Sequence, residues 1–411
     1  MLDFKVLTDP DADQRLRWRY YGYRFTVNNG FFLPVGILYI ERQGLGLDAI
    51  ALTQGVFLFA LVVFQIPSGY IGDRIGTRNG LLLGTTTVVL AMLLYPLGHS
   101  LLTFSLLYVL WAFGWAMDTG AREAWLYNIL SERDASDSYA RISGRGETVL
   151  LLGSVVTTAS AGLLFVLDPA LPFIANGLLT ALGLGVLATL PESQSGPEDR
   201  FTLNDITQAL TIQIGRPDIR WFVLYIALFY TAFEVTRAFE QPAAVDIGVP
   251  VALLGFMFSG FKLVSAGASW LAGSVYDQFG VRPVFLLFVP TVIGLYAVVF
   301  VAPVMILLVF FLARSLDALT APIRNQYLND RIDDVGRATV LSGISMTISL
   351  AGAMVHAIGF VVAPRLGAVT VIALAGVVFG VLGAVLWVST APIRTAEDGH
   401  TRQLAAGGLT E

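Results

Sequence analysis

Residues 69–78 read GYIGDRIGTR and residues 273–282 read GSVYDQFGVR. Gly69, Asp73, Gly76 and Arg78 of the first stretch recur as Gly273, Asp277, Gly280 and Arg282 of the second, 204 residues on, half of a 411-residue chain. A motif repeated at that distance is what duplication of one structural unit leaves behind. Each residue type has a physical use. The first glycine permits a neighbouring helix to approach closely, and the second makes a tight turn. The aspartate can accept from a helix N-terminus or pair with an arginine such as Arg74 or Arg78.

Long apolar runs flank both stretches. A helix needs about 20 mostly apolar residues to cross the hydrocarbon core of a bilayer, and twelve such spans can be marked. Six lie near 20–41, 48–71, 79–98, 101–128, 143–167 and 171–190, and six more near 219–241, 250–275, 283–302, 303–328, 338–363 and 366–390. The runs are continuous rather than alternating, which indicates helices and excludes a barrel. The repeated motifs fall after the second and the eighth span. The expected fold is therefore an all-α membrane protein of two matching six-helix bundles, 1–190 and 219–395. A linker at 191–218 joins them, and a tail at 396–411 follows. Within the linker, Leu203, Ile206, Leu210 and Ile214 share one helical face, and Thr202 with Asp205 resembles a capping box. That spacing predicts a short amphipathic helix on the membrane surface.

Composition agrees. The chain is 55% hydrophobic and 13% charged, with a mean hydropathy of +0.71, whereas soluble proteins are about 25% charged. A net charge of −5 and the lack of any basic run exclude a nucleic-acid partner, and zero cysteines exclude disulfides and thiol chemistry. No metal-ligand cluster, phosphate-binding loop or nucleophile–base motif is present, so neither a cofactor nor an enzymatic reaction is expected. Seventeen basic residues fall in segments on one side of the expected membrane, against Arg42 and Arg365 on the other. By the positive-inside rule both termini are cytoplasmic, and the plasma membrane is the expected location.

With its position between the second and third spans, the 69–78 signature resembles that of the major facilitator superfamily. The resemblance covers the whole chain through its twelve spans and central loop. It departs at Asn79, where the family usually has a basic residue. The fifth span carries Gly153 and Gly162 but not the Gly-Pro pair common in the family's drug–proton antiporters. The resemblance implies two halves, each built from inverted three-helix repeats, that rock about a midplane site. It also implies that the loop around Gly69, Asp73, Arg74, Gly76 and Arg78 latches the halves near the eleventh span. Asp118 would be the acidic partner in the fourth span, and Asp277 with Arg282 would form a weaker second latch.

An ionisable side chain at mid-membrane costs roughly 2.5–3.5 kcal/mol, so those present should face water or one another. Asp118 and Arg122 stand at i, i+4 in the fourth span, with Glu123 beside them. Glu234 and Arg237 stand at i, i+3 in the seventh, and Arg314 and Asp317 at i, i+3 in the tenth. Lys262 lies mid-way along the eighth, at a depth that would let it join Arg314 around Asp317. The resemblance implies that the first, fourth, seventh and tenth spans line a central cavity, and most of these charges obey it, Arg24 and Arg324 included. Tyr23, Asn28 and Asn29 add neutral hydrogen-bonding groups, and Phe31, Tyr230 and Phe233 are candidate ring contacts. Glu147 and His356 are weaker candidates. The substrate and proton pathway is thus expected to comprise Arg24, Asn28, Asn29, Glu234, Arg237, Lys262, Arg314 and Asp317.

The function expected is secondary transport of a small molecule by a monomer in a lipid bilayer, with protons as the coupling ion and Glu234 or Asp317 as their carrier. Export of an amphipathic, drug-like compound is the leading expectation. Uptake of an anionic metabolite is the alternative, and a non-transporting sensor on the same scaffold is a third reading.

Overall fold

The computed structural model describes residues 10–135, 138–193, 217–332 and 337–393. Among them the chain is almost wholly helical and contains no strand. Thirteen α-helices follow one another: α1 (Pro10–Thr26), α2 (Gly36–Arg42), α3 (Leu47–Ile75), α4 (Thr77–Leu94), α5 (Leu101–Ser131), α6 (Tyr139–Leu167), α7 (Leu171–Ala188), α8 (Pro217–Asp246), α9 (Val251–Phe279), α10 (Val281–Ala297), α11 (Ile306–Asn329), α12 (Arg337–Leu366) and α13 (Ala368–Thr390). Among the described residues, eleven helical segments are long and apolar enough to cross a membrane, and they match eleven of the twelve spans marked in the sequence to within a few residues. The expected surface helix at 202–214 and the tail at 396–411 lie outside the described residues.

The first span is the exception. The expected 20–41 helix is broken: α1 ends at Thr26, the backbone leaves the helical path, and α2 begins only at Gly36. The local sequence explains the break. Asn side chains compete with the helix for backbone partners, and Pro34 has no N–H to give. Asn28 supplies the substitute bonds. Its Nδ2 donates to the Phe25 carbonyl at 2.7 Å and its Oδ1 accepts from the Gly30 N–H at 3.0 Å. Thr157 of α6 donates to the same Oδ1 at 2.7 Å, which ties the break to a neighbouring helix.

The described residues divide into two compact units, one within Met1–Arg200 and Gly248–Lys262, the other within Phe201–Ile247 and Leu263–Glu411. The first part of α9 thus packs with the first unit. Several helix pairings recur in both units. In the first, α1 packs on α6 and α7, α4 on α7, and α4 on α5; in the second, α8 packs on α12 and α13, α10 on α13, and α10 on α11. These are equivalent pairs when the spans of the two halves are numbered in parallel, as duplication requires. The motif turns match as well. Gly76, between α3 and α4, has φ +90°, and Gly280, between α9 and α10, has φ +69°, a region that L-residues with a Cβ rarely occupy. A Cβ built at Gly69 or Gly273 would meet nothing within 4 Å among the described residues.

Aromatic side chains fill much of the first unit's core. Phe32, within the break, lies 4.8 Å from Trp111 and 5.1 Å from Tyr95, and Tyr95 stacks on Phe173 at 4.6 Å. The Tyr95 hydroxyl donates to the Gly36 carbonyl at 2.9 Å and the Tyr39 hydroxyl to that of Pro96 at 2.8 Å, so burying these rings leaves no stranded phenol. In the second unit, Tyr296 is fully buried and its hydroxyl lies 2.8 Å from that of Thr236. A Cβ at Gly376 of α13 would stand 2.0 Å from its ring. Gly376→Ala is accordingly expected to displace Tyr296 and lower stability by about 1–3 kcal/mol, read as a fall in the melting temperature of the detergent-purified protein.

Candidate functional site

The first unit contains a partly open cavity of about 350 Å³. Its charged lining residues are Arg24 of α1, Asp118 and Arg122 of α5, Glu147 of α6 and Lys262 of α9. The lining also includes Trp111, Trp115, Val88, Leu33 and Leu150. Arg24 is 1% exposed and bonds Glu147, whose own side chain is half-exposed. Arg122 pairs with Asp118 one turn away, and Asp118 also accepts from the Tyr23 hydroxyl at 3.1 Å. Lys262 donates to Ser154 of α6. Asn29 lines the cavity with Asn28, but the amide of Asn28 is taken up by the helix break. The rings on the cavity wall are Trp111 and Trp115; Phe31 is not among the lining residues.

The second unit holds a separate ionic network on α8 and α11. The Arg237 guanidinium reaches Glu234 at 2.5 Å and Asp317 at 2.9 Å, and it lies over the Tyr230 ring at 5.4 Å. Arg314 pairs with Glu240 at 2.5 Å. Glu240 is 2% exposed and its Oε2 has no hydrogen-bond partner. Sequence reasoning passed over Glu240 because the seventh span was ended at 241, which made it a boundary residue. The helix in fact continues through Pro242 to Asp246, so Glu240 is interior. Its i+3 spacing from Arg237 was the available signal. His356 of α12 is also buried, with Nδ1 unpartnered. Phe233 packs against Phe288 at 5.9 Å as a core ring.

The latch candidates fall around the two motif turns. Arg78 serves its own unit. Its side chain donates to the carbonyls of Leu187 at 3.2 Å and Ala188 at 2.5 Å, while its backbone N–H donates to Glu192 at 3.0 Å. It therefore caps the C-terminal end of α7, where a cation meets the negative end of the helix dipole. Glu192 was not singled out in the sequence, yet its carboxylate sits 2.8 Å from where a Cβ at Gly76 would stand. Arg74 lies over the Tyr70 ring at 5.1 Å. Asp73 falls in the last turn of α3, Asp277 in the last turn of α9, and Arg282 in the first turn of α10.

Comparison with known proteins places this architecture. The model of the Major Facilitator Superfamily matches residues 25–239, and the chain belongs to that family. It is 23% identical over 239 residues to the uncharacterized MFS-type transporter YxaM of Bacillus subtilis (strain 168), a match covering 56% of this chain and 58% of that protein. The chain thus matches somewhat over half the length of that relative. A shorter match, 40% over 62 residues, covers 15% of each chain and is to the uncharacterized MFS-type transporter YfkF of the same organism. Among solved structures, the nucleoside transporter NupG aligns over 92% of this chain and 98% of its own, with a TM-score of 0.74 at 11% identity. The D-xylose-proton symporter aligns over 91% and 97%, with a TM-score of 0.66 at 14% identity. These likenesses show the fold: a multi-pass, all-α transporter scaffold of the twelve-helix type.

Proposed function

We propose that this chain is a proton-coupled secondary transporter that moves a small amphipathic molecule by alternating access, in the plasma membrane with both termini cytoplasmic. The observation that carries the reading is the cavity of the first unit, about 350 Å³, whose lining combines five charged side chains with two tryptophans. Small-molecule sites of roughly 300–1,000 Å³ are built this way, with apolar walls and a few placed polar groups. Proton coupling is supported by the network of the second unit. There three carboxylates, Glu234, Glu240 and Asp317, share two arginines, Arg237 and Arg314. Glu234 and Asp317 are both held by Arg237, whereas Glu240 keeps one enclosed oxygen without a donor. Intramembrane carboxylates of this kind serve as proton relays, and Glu240 is the carrier in this reading. Export is the direction carried over from the sequence.

The test is reconstitution into vesicles loaded with a pH-sensitive dye and challenged with amphipathic anions, cations and neutral compounds. At least one compound is expected to drive proton movement, and the sidedness of accumulation reports the direction. Glu240→Gln is expected to abolish accumulation driven by a pH gradient while ligand binding to the purified protein persists. Binding without any substrate-dependent proton flux would replace the transporter reading with that of a sensor.

A further inference from the structure

We infer that the molecule held in the first unit's cavity is an organic monocarboxylate with an apolar or aromatic body, its carboxylate docking on Arg24. This rests on the cavity being the substrate site of the proposed transporter. Arg24 is 1% exposed, and two of its three guanidinium nitrogens, Nε and Nη1, have no hydrogen-bond partner. A buried donor without an acceptor costs about 1–3 kcal/mol, more when charged, and a planar guanidinium fork is matched by the two oxygens of a carboxylate. The single acceptor present, Glu147, lies on the cavity wall with its side chain 52% exposed. It is therefore able to withdraw as a ligand carboxylate arrives.

Charge sets the number of negative groups. The lining carries Arg24, Arg122 and Lys262 against Asp118 and Glu147, an excess of one positive charge. A single carboxylate balances that excess, while a phosphate monoester would reverse it. Shape sets the remainder of the molecule. Trp111 and Trp115 line the same cavity, a surface on which a ring or alkyl body can be desolvated. The groups that face the Arg24–Glu147 pair are Tyr20 and Tyr23 from α1, Asp118 and Arg122 from α5 and Lys262 from α9. Among these, Asp118 is held by Arg122 and Tyr23, so Glu147 is the internal carboxylate that competes with the ligand. Withdrawal of Glu147 frees Arg24 for the ligand.

The experiment uses the purified full chain and a series of aryl and alkyl monocarboxylates, each with its amide and amine as neutral and cationic counterparts. Thermal stabilisation and tryptophan fluorescence report binding. Carboxylates are expected to bind, amides and amines not. Arg24→Gln should weaken carboxylate binding about thirtyfold or more, and Glu147→Gln, which removes the competitor, should retain or tighten it. Should Arg24→Gln fail to fold, the Glu147→Gln result decides alone: weakened carboxylate binding there overturns the inference. Equal binding of amides or amines, no binding by any carboxylate, or unchanged carboxylate affinity in Arg24→Gln also overturns it. Proton-coupled flux of an amine in the vesicles above would sink the carboxylate assignment and leave the transporter reading standing. Carboxylate binding that depends on Arg24, without flux, would support the assignment and remove the transporter reading.

Discussion

Arg237→Ala is expected to lower the stability of the protein by about 3 kcal/mol, at the lower end of what breaking a buried ion pair costs. One guanidinium serves two carboxylates, Glu234 at 2.5 Å on its own helix and Asp317 at 2.9 Å on α11. Removing it strands both. The lower end applies because Glu234 and Asp317 keep 16% and 30% side-chain exposure, so water screens part of the loss. Arg237→Lys should recover only part of the stability, since an ammonium restores the charge but not the fork that reaches both partners. The triple variant Glu234→Gln, Arg237→Met, Asp317→Asn should melt close to the parent, because removing all members of a buried ionic group is often neutral. Melting curves of the four proteins in one detergent check the set. An Arg237→Ala protein as stable as the parent would show that the two carboxylates are not held by this arginine.

Gly255→Ala should lose about 2 kcal/mol, although alanine is the better helix former by roughly 1 kcal/mol. Along the first part of α9, a Cβ at Gly255 would stand 2.4 Å from the Thr158 carbonyl oxygen of α6. Reciprocally, a Cβ at Gly162 of α6 would stand 2.5 Å from the Val251 carbonyl oxygen. Ser259, one turn past Gly255, donates to the Val155 carbonyl at 3.0 Å. Backbone, not a flexible side chain, blocks the added methyl, so a helix must move. Small residues spaced by four are the usual means by which membrane helices approach this closely. Gly267→Ala on the same helix is the control. A Cβ there meets nothing within 4 Å, and the change should be neutral or stabilising by up to about 1 kcal/mol. If both alanine variants melt alike, the seam does not contribute to stability.

Particular elements divide according to how far their causes reach along the chain. Eleven helices stand where the apolar runs placed them, because membrane-spanning length is a local property of about 20 residues. The turns at Gly76 and Gly280 were equally legible, since positive φ selects glycine within a single residue. The break in the first span was written in Asn28, Asn29, Gly30 and Pro34, yet the apolar run around them read as one helix. What holds the break open includes Thr157, which lies 129 residues away. Arg78 looked like a latch residue by its motif, and its carbonyl partners at the end of α7 had no signal in the motif at all. Glu240 was hidden by the placing of a helix end.

Alone, the order of residues determined that the chain is helical, crosses a membrane many times and is built from a duplicated unit, because hydropathy and turn chemistry act over short stretches. Tertiary structure alone decided which charges meet between helices. Arg24 finds Glu147 across 123 residues, Arg237 finds Asp317 across 80, and Arg314 finds Glu240 across 74. Coulomb attraction depends on distance in space, and no spacing along a sequence encodes distance between helices that only packing brings side by side.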